Sequence, residues 1–229
     1  MKSTSTTTTT TTKPIISARY SNDKNDEPKK SNEKEQIVIG VPIFPLRFML
    51  IDCESPDGIN LLSEVFMLLI EWDYKKQEFL IIDNLHLFCA VNTAFVDRDK
   101  CYNIYKNVTG LSFGTLNKIG LPYNQVIIQV HAFLTKYANA YIVARDPRLD
   151  AFLLCIENVY EILNFLQQPY CIDFYWRKNR PEDISKYAQS YECEHHEPLL
   201  NGKPVHCAKV DVYIMYYWLA KYGLMLLYC

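Results

Sequence analysis

Five metal-seeking side chains crowd one short stretch of this chain, and they constrain its fold more than any other feature. Cys193, His195, His196, His206 and Cys207 fall within 15 residues, and three of the chain's five histidines are among them. Thiolate and imidazole are the donors zinc prefers. Cys193 and His196 have the Cys-x-x-His spacing that lets two side chains reach one ion. Ten residues separate His196 from Cys207, and Pro198, Gly202 and Pro204 between them suit a loop that returns to the metal. A four-coordinate zinc needs one more donor. Glu64 is the candidate, because an acid inside an apolar strand pattern carries a desolvation cost unless something compensates it. A Cys-His-His-Cys set drawn from the loop alone is the alternative. So is a surface loop of histidines with Glu64 at an exposed strand end. Four protein ligands leave no position for a reactive water, so such a zinc is structural. It would tie the last loop and helix to a core strand and couple metal binding to folding.

The rest of the chain supplies ample material for a core. The 229 residues are 49% hydrophobic and 14% aromatic, and most of the large apolar residues follow position 36. The net charge of −2 excludes a global basic field that would recruit nucleic acid, so any such contact must be a local patch. The opening MKSTSTTTTTTTK lacks the apolar stretch of a secretory signal. The eight cysteines are therefore expected as buried apolar residues or metal ligands, not as disulfides. Residues 1–36, a Thr tract followed by a charged and Pro-containing mixture, cannot repay their ordering entropy and are expected to be disordered. The domain is expected to occupy 37–229. The last 18 residues are the longest apolar run, but Lys221 interrupts them and no basic flank follows. A buried terminal helix is the expectation there, with no membrane span.

Patterning places the elements. Residues 37–50 are β-rich but broken by Pro42 and Pro45, which suggests a short edge strand or an extended lead-in. Residues 62–72 and 78–83 read as a hairpin around Lys75-Lys76-Gln77, and 86–95 as a third strand. Val126, Ile127, Val130, Phe133 and Leu134 follow helical spacing within 122–137. Residues 140–144 read as a strand. Asp146 and Pro147 then cap and start a helix over about 148–166. Residues 171–176 read as a further strand and 181–190 as a short helix, and the final helix begins near Ala208. That order fits an α/β domain, a mixed sheet with helices packed on it, and an RNase-H-like arrangement is one such topology.

Around the metal loop the sequence resembles the Maelstrom domain family. The resemblance is carried by Cys193-Glu194-His195-His196-Glu197, then His206-Cys207-Ala208-Lys209 opening an apolar helix. Leu62-Ser63-Glu64-Val65 and Ala140-Tyr141-Ile142-Val143-Ala144-Arg145-Asp146 add to it. It spans about residues 60–222. It implies an RNase-H-like fold and a structural zinc on Glu64, Cys193, His196 and Cys207. It also implies single-stranded RNA binding, piRNA-pathway protein partners, and a role in transposon silencing in the germ line, in perinuclear granules and the nucleus. Animal members usually carry an HMG box before this domain, and here only the Thr-rich leader precedes it.

For catalysis, the expectation is negative on one count and open on another. DEDD-type nucleases gather carboxylates around two metal ions, and the exonuclease form begins with Asp-x-Glu on the first strand. Leu62-Ser63-Glu64 lacks that first acid, so a two-metal exonuclease is not expected. The family resemblance leaves open a metal-independent cleavage of single-stranded RNA. A protein-interaction scaffold without nucleic-acid affinity is the third reading. For binding, Arg145, Arg148, Arg177, Lys178 and Arg180 are the candidate phosphate contacts, with Tyr175 and Trp176 as stacking partners.

Overall fold

The computed structural model describes residues 45–57, 60–92, 105–158, 162–164, 195–197 and 206–222. The leader, the expected strand at 171–176, the expected helix at 181–190, Cys193 and the basic group Arg177, Lys178 and Arg180 lie outside these residues.

Among the described residues the core is one five-stranded mixed sheet. Its strands are β1 (Arg47–Glu54), β2 (Glu64–Asp73), β3 (Glu78–Phe88), β4 (Tyr141–Ala144) and β5 (Ile162–Asn164). They lie in the order β3-β2-β1-β4-β5. β2 pairs antiparallel with both β1 and β3, whereas β4 runs parallel to β1 and β5 parallel to β4. One reversed strand in a 3-2-1-4-5 order is the RNase-H-like topology that the element order suggested. Among the described residues the helices with both ends placed are α1 (Phe113–Ile119), α2 (Tyr123–Lys136), α3 (Pro147–Leu153) and α4 (Ala208–Tyr222), and residues 105–109 are also helical.

Strands at the centre of a sheet covered on both faces read as unbroken apolar runs. That is what β1 and β2 are. Phe48, Leu50, Phe66, Leu68 and Ile70 pack under Val212, Met215 and Trp218 of α4. The alternate residues Met49, Ile51, Cys53, Val65, Met67 and Leu69 pack under Val126, Val130 and Phe133 of α2 and Leu153 of α3. No helix among the described residues is long and apolar enough to cross a membrane.

Three elements differ from the sequence expectation. The segment assigned to an edge strand continues to Glu54 and becomes β1, the central strand, because Pro42 and Pro45 precede the paired stretch. The third strand expected at 86–95 is the end of β3, which runs unbroken to Phe88. The helix expected over 148–166 stops at Leu153. Cys155 there takes a left-handed φ of 53°, and Ile156 N–H closes back on Ala151 O at 2.9 Å, which is a helix-terminating geometry. Phe152, expected on the buried face, is therefore 61% exposed, and residues 162–164 belong to β5. The cap holds as read: Asp146 Oδ1 accepts from Leu149 N–H, with Pro147 at the first helical position.

Candidate metal centres

Glu64 opens β2 with its side chain fully buried. A carboxylate there is costly unless cations or donors surround it. His86, on the neighbouring β3, donates from Nε2 to Glu64 Oε1 at 2.7 Å. The other oxygen, Oε2, is buried and accepts no hydrogen bond. His196 Nε2 stands 3.4 Å from it. The tautomer of His196 follows from its other nitrogen: Nδ1 faces the carbonyl of Thr109, which can only accept, so Nδ1 carries the proton. In the neutral ring Nε2 is then a lone pair aimed at a carboxylate oxygen. Cys207 Sγ completes the group, the three donor atoms all lying within 4.8 Å of one another. Two lone-pair atoms and a sulfur converging in a buried space is an arrangement that a cation satisfies, and the donor types are those of zinc.

The loop that brings these donors in is fixed by three consecutive carbonyls. Val108 O accepts from His206 N–H at 2.8 Å, Gly110 O accepts from Glu197 N–H at 2.9 Å, and Thr109 O takes His196 Nδ1–H. Gly110 has φ 72°, the left-handed region glycine adopts at little cost, and this turns the third carbonyl toward the loop. Phe88 covers the site edge, with its ring against His86, His195 and His196. At the start of α4, Val210 N–H points at Cys207 Sγ at 3.4 Å. Of the four zinc ligands read from the sequence, the structure brings together Glu64, His196 and Cys207, and Cys193 is outside the described residues. Glu64 stands on the second strand, not the first.

A second group adjoins the first. Glu54 sits opposite Glu64 in the β1–β2 register, and His206 precedes Cys207. These neighbours go to different clusters. Glu54, His206 and Asp211 have their donor atoms within 4.8 Å of one another. His206 Nδ1 donates to Asp211 Oδ2 at 3.0 Å and lies 3.8 Å from Glu54 Oε1. Arg145 Nη1 donates to the same Asp211 oxygen at 3.1 Å. Asp52, two residues before Glu54 on β1, and Asp150, on α3, are both buried and interact electrostatically with Arg145 and with each other. Asp150 Oδ2 is a buried oxygen that accepts no hydrogen bond.

The Asp-x-Glu pair missing from Leu62-Ser63-Glu64 thus stands at Asp52-Cys53-Glu54, because the true first strand is β1. The ground for expecting no two-metal site does not hold. Asp150 also has neighbours that the sequence did not reveal: the Cys53 thiol and Arg145 both act on it electrostatically. Arg145, expected as a phosphate contact, is engaged with the acids, since a guanidinium beside buried carboxylates is held there by charge. Arg148 is exposed on α3. Asp211 was missed altogether, although an acid inside the apolar run of α4 was a visible signal.

The charge state of this cluster predicts a pH dependence. Burial pushes the Asp150 carboxyl up to about 7, with Arg145 and the Cys53 thiol offsetting part of it. Burial and Asp211 raise Asp52, and burial raises Glu54. Asp211 and Glu54 raise His206 to about 10. A carboxyl whose folded value lies above its unfolded one favours folding at low pH and loses that contribution as pH rises through the folded value. His206 adds stability below its ordinary value that is likewise lost as pH climbs through 10. Both trends point down. Between pH 6 and 8, Asp150 alone removes roughly 1 kcal/mol, or about 2–4 °C of melting temperature in a chain of this size. Thermal melts in the absence of added divalent ions check this, and a temperature that holds level or rises over that window would contradict it.

No protein-family model matches the chain, and no curated protein matches it. Among solved structures it is similar to the zinc-bound form of E. coli exonuclease I in complex with single-stranded DNA. The identity is 14% and the TM-score 0.48, over 79% of this chain and 42% of that one. It is also similar to the nuclease domain of 3′hExo, a DEDDh family member bound to rAMP. There the identity is 12% and the TM-score 0.46, over 78% of this chain and 94% of that one. The chain spans less than half the length of exonuclease I.

Proposed function

We propose that this chain is a divalent-metal-dependent nuclease acting on single-stranded RNA, with a structural zinc beside its active centre. The observation that carries the reading is the grouping of Glu54 and Asp211 with His206, donor atoms within 4.8 Å, beside Asp52 and Asp150, all four acids, in chain order Asp, Glu, Asp, Asp, acting on the charge of Arg145. Four carboxylates face two cationic side chains among the described residues, Arg145 and His206, so the fully ionised cluster has two negative charges in excess. Asp150 Oδ2, buried and accepting no hydrogen bond, has the character of a cation ligand. The residues fit a divalent ion of the Mg2+ or Mn2+ kind, for which oxygen donors are preferred.

The four carboxylates would hold the ion or ions. Bound divalent ions in such sites stabilise the attacking and leaving oxygens of phosphoryl displacement. The chain's own groups supply the rest. His206, set between Glu54 and Asp211, is placed to hold a proton near the reacting centre, and a bound cation would lower its proton affinity toward the range of a general base. Arg145 offers a fixed positive charge for a phosphate oxygen. Zinc on Glu64, His196, Cys207 and Cys193 would keep Cys207, and with it His206, in place against β1 and β2.

Single-stranded RNA as substrate is supported by the Maelstrom resemblance. That resemblance extends the proposal to piRNA-linked transposon silencing, with perinuclear granules and the nucleus as its setting. One observation favours a second reading, a single-strand RNA-binding factor without catalysis: a guanidinium already lies among the carboxylates.

End-labelled single-stranded RNA incubated with the zinc-loaded chain separates these readings. Shortened products that need added Mg2+ or Mn2+ support the nuclease. RNA retained on filters but intact under every divalent ion supports the binding factor. Cleavage indifferent to divalent ions returns the metal-independent reaction, and neither retention nor cleavage leaves the scaffold.

A further inference from the structure

We propose that the Arg145 guanidinium holds the place of one of the two cations that a four-carboxylate nuclease site gathers, so that this cluster takes a single divalent ion. The inference rests on reading the cluster as a metal site and specifies how many ions it accepts.

Three observations carry it. Arg145, its side chain 34% exposed, is attracted by all four carboxylates, Asp211, Asp52, Glu54 and Asp150. Its contact is with the most deeply placed acid: Nη1 lies 3.1 Å from Oδ2 of Asp211, whose side chain is 2% exposed. That same oxygen accepts from His206 Nδ1 at 3.0 Å. A carboxylate oxygen has two lone pairs, and at Asp211 Oδ2 both are directed at donors. An ion bridging through this oxygen must displace one of them.

The backbone makes displacement of Arg145 costly. The residue follows directly on Ala144, the end of β4, and precedes Asp146, the N-cap of α3. Its guanidinium is delivered from a short connection fixed at both ends. Net charge points the same way. One divalent ion and Arg145 bring three positive charges to four carboxylates. Two divalent ions with Arg145 in place leave a buried cluster net positive, which low-dielectric surroundings penalise.

The test is Mn2+ stoichiometry, read by equilibrium binding and by electron paramagnetic resonance on the zinc-loaded chain, with zinc content followed in parallel as a check on the fold. Wild type is expected to bind one Mn2+ with an uncoupled spectrum. Arg145→Ala is expected to bind two, with the spin-coupled spectrum of neighbouring ions. Arg145→Lys, which keeps the charge, is expected to bind one. Two ions in wild type would overturn the inference while leaving the metal-site reading intact. So would a single ion in a folded, zinc-containing Arg145→Ala. No Mn2+ in wild type or variants would overturn the metal-site reading itself, and the inference with it. The wild-type count decides between these outcomes even if the alanine variant fails to fold.

Discussion

On the proposed zinc site, Cys207→Ser is expected to abolish zinc binding and unfold the chain. The thiolate cannot be replaced by a hydroxyl of comparable affinity, because structural zinc is held by thiolate, neutral imidazole or carboxylate and a serine hydroxyl stays protonated at neutral pH. Structural zinc contributes on the order of 10 kcal/mol to small metal-bound folds, which is comparable to the whole stability of a typical domain, about 5–15 kcal/mol. The structure gives that loss a specific route. Without the ion, Glu64 stays fully buried with one oxygen that accepts no hydrogen bond. The start of α4, whose Val212, Met215 and Trp218 cover one face of the sheet, loses its tie to β2. Elemental analysis and a thermal melt decide the matter. The expected result is about one zinc per wild-type chain, and a variant with neither zinc nor a cooperative transition. A wild type that purifies without zinc yet melts cooperatively would remove the metal from the account. Glu64→Gln is the companion variant. It keeps the shape and relieves the buried charge, so it should lose zinc affinity with a smaller loss of stability than Cys207→Ser.

The two candidate centres were unequally legible in the sequence, for a physical reason. Zinc donors are rare residue types, and here they cluster within one loop, so Cys193, His196 and Cys207 could be grouped before any fold was known. Glu64 could be added because an acid in an apolar run stands out. Carboxylates are common, and those of the second cluster come from positions 52, 54, 150 and 211. Only the sheet order that sets β4 beside β1, and α4 across its face, brings them together. Pro42 and Pro45 also drew attention to a break in what proved to be the approach to the central strand. That placed the first strand one element too late and hid Asp52-Cys53-Glu54. The docking carbonyls of Val108, Thr109 and Gly110 left no trace in residue type, since backbone acceptors have no letter of their own. The hairpin was easier to read. The unbroken apolar run at 65–70 announces a strand covered on both faces, and the turn falls at the Lys75-Lys76-Gln77 site the pattern marked.

Asp150→Asn should separate activity from stability in opposite directions. The substitution preserves volume. It removes one negative charge from a buried group in which Asp211, Asp150 and Glu54 raise the proton affinity of Asp52, and Asp211 raises that of Glu54. The melting temperature near pH 8 should therefore hold or rise, and the loss of stability between pH 6 and 8 should flatten. Cleavage should fall by roughly 10³-fold, the size of effect seen when one charge-stabilising group is removed from a preorganised site. Active centres store destabilising charge of this kind, and relieving it tends to trade function for stability. Glu54→Gln should behave alike, although His206 loses part of its anchoring there. Rates on single-stranded RNA and melts on the same preparations read both quantities. If activity and stability fall together, the cluster is a structural network and not a reaction centre. If the rate stays within about tenfold of wild type, the carboxylates do not hold the ion on which cleavage depends. A rate collapse in a chain that melts no lower than wild type leaves one consistent account: the acids are kept buried and crowded because the cation they await is part of the chemistry.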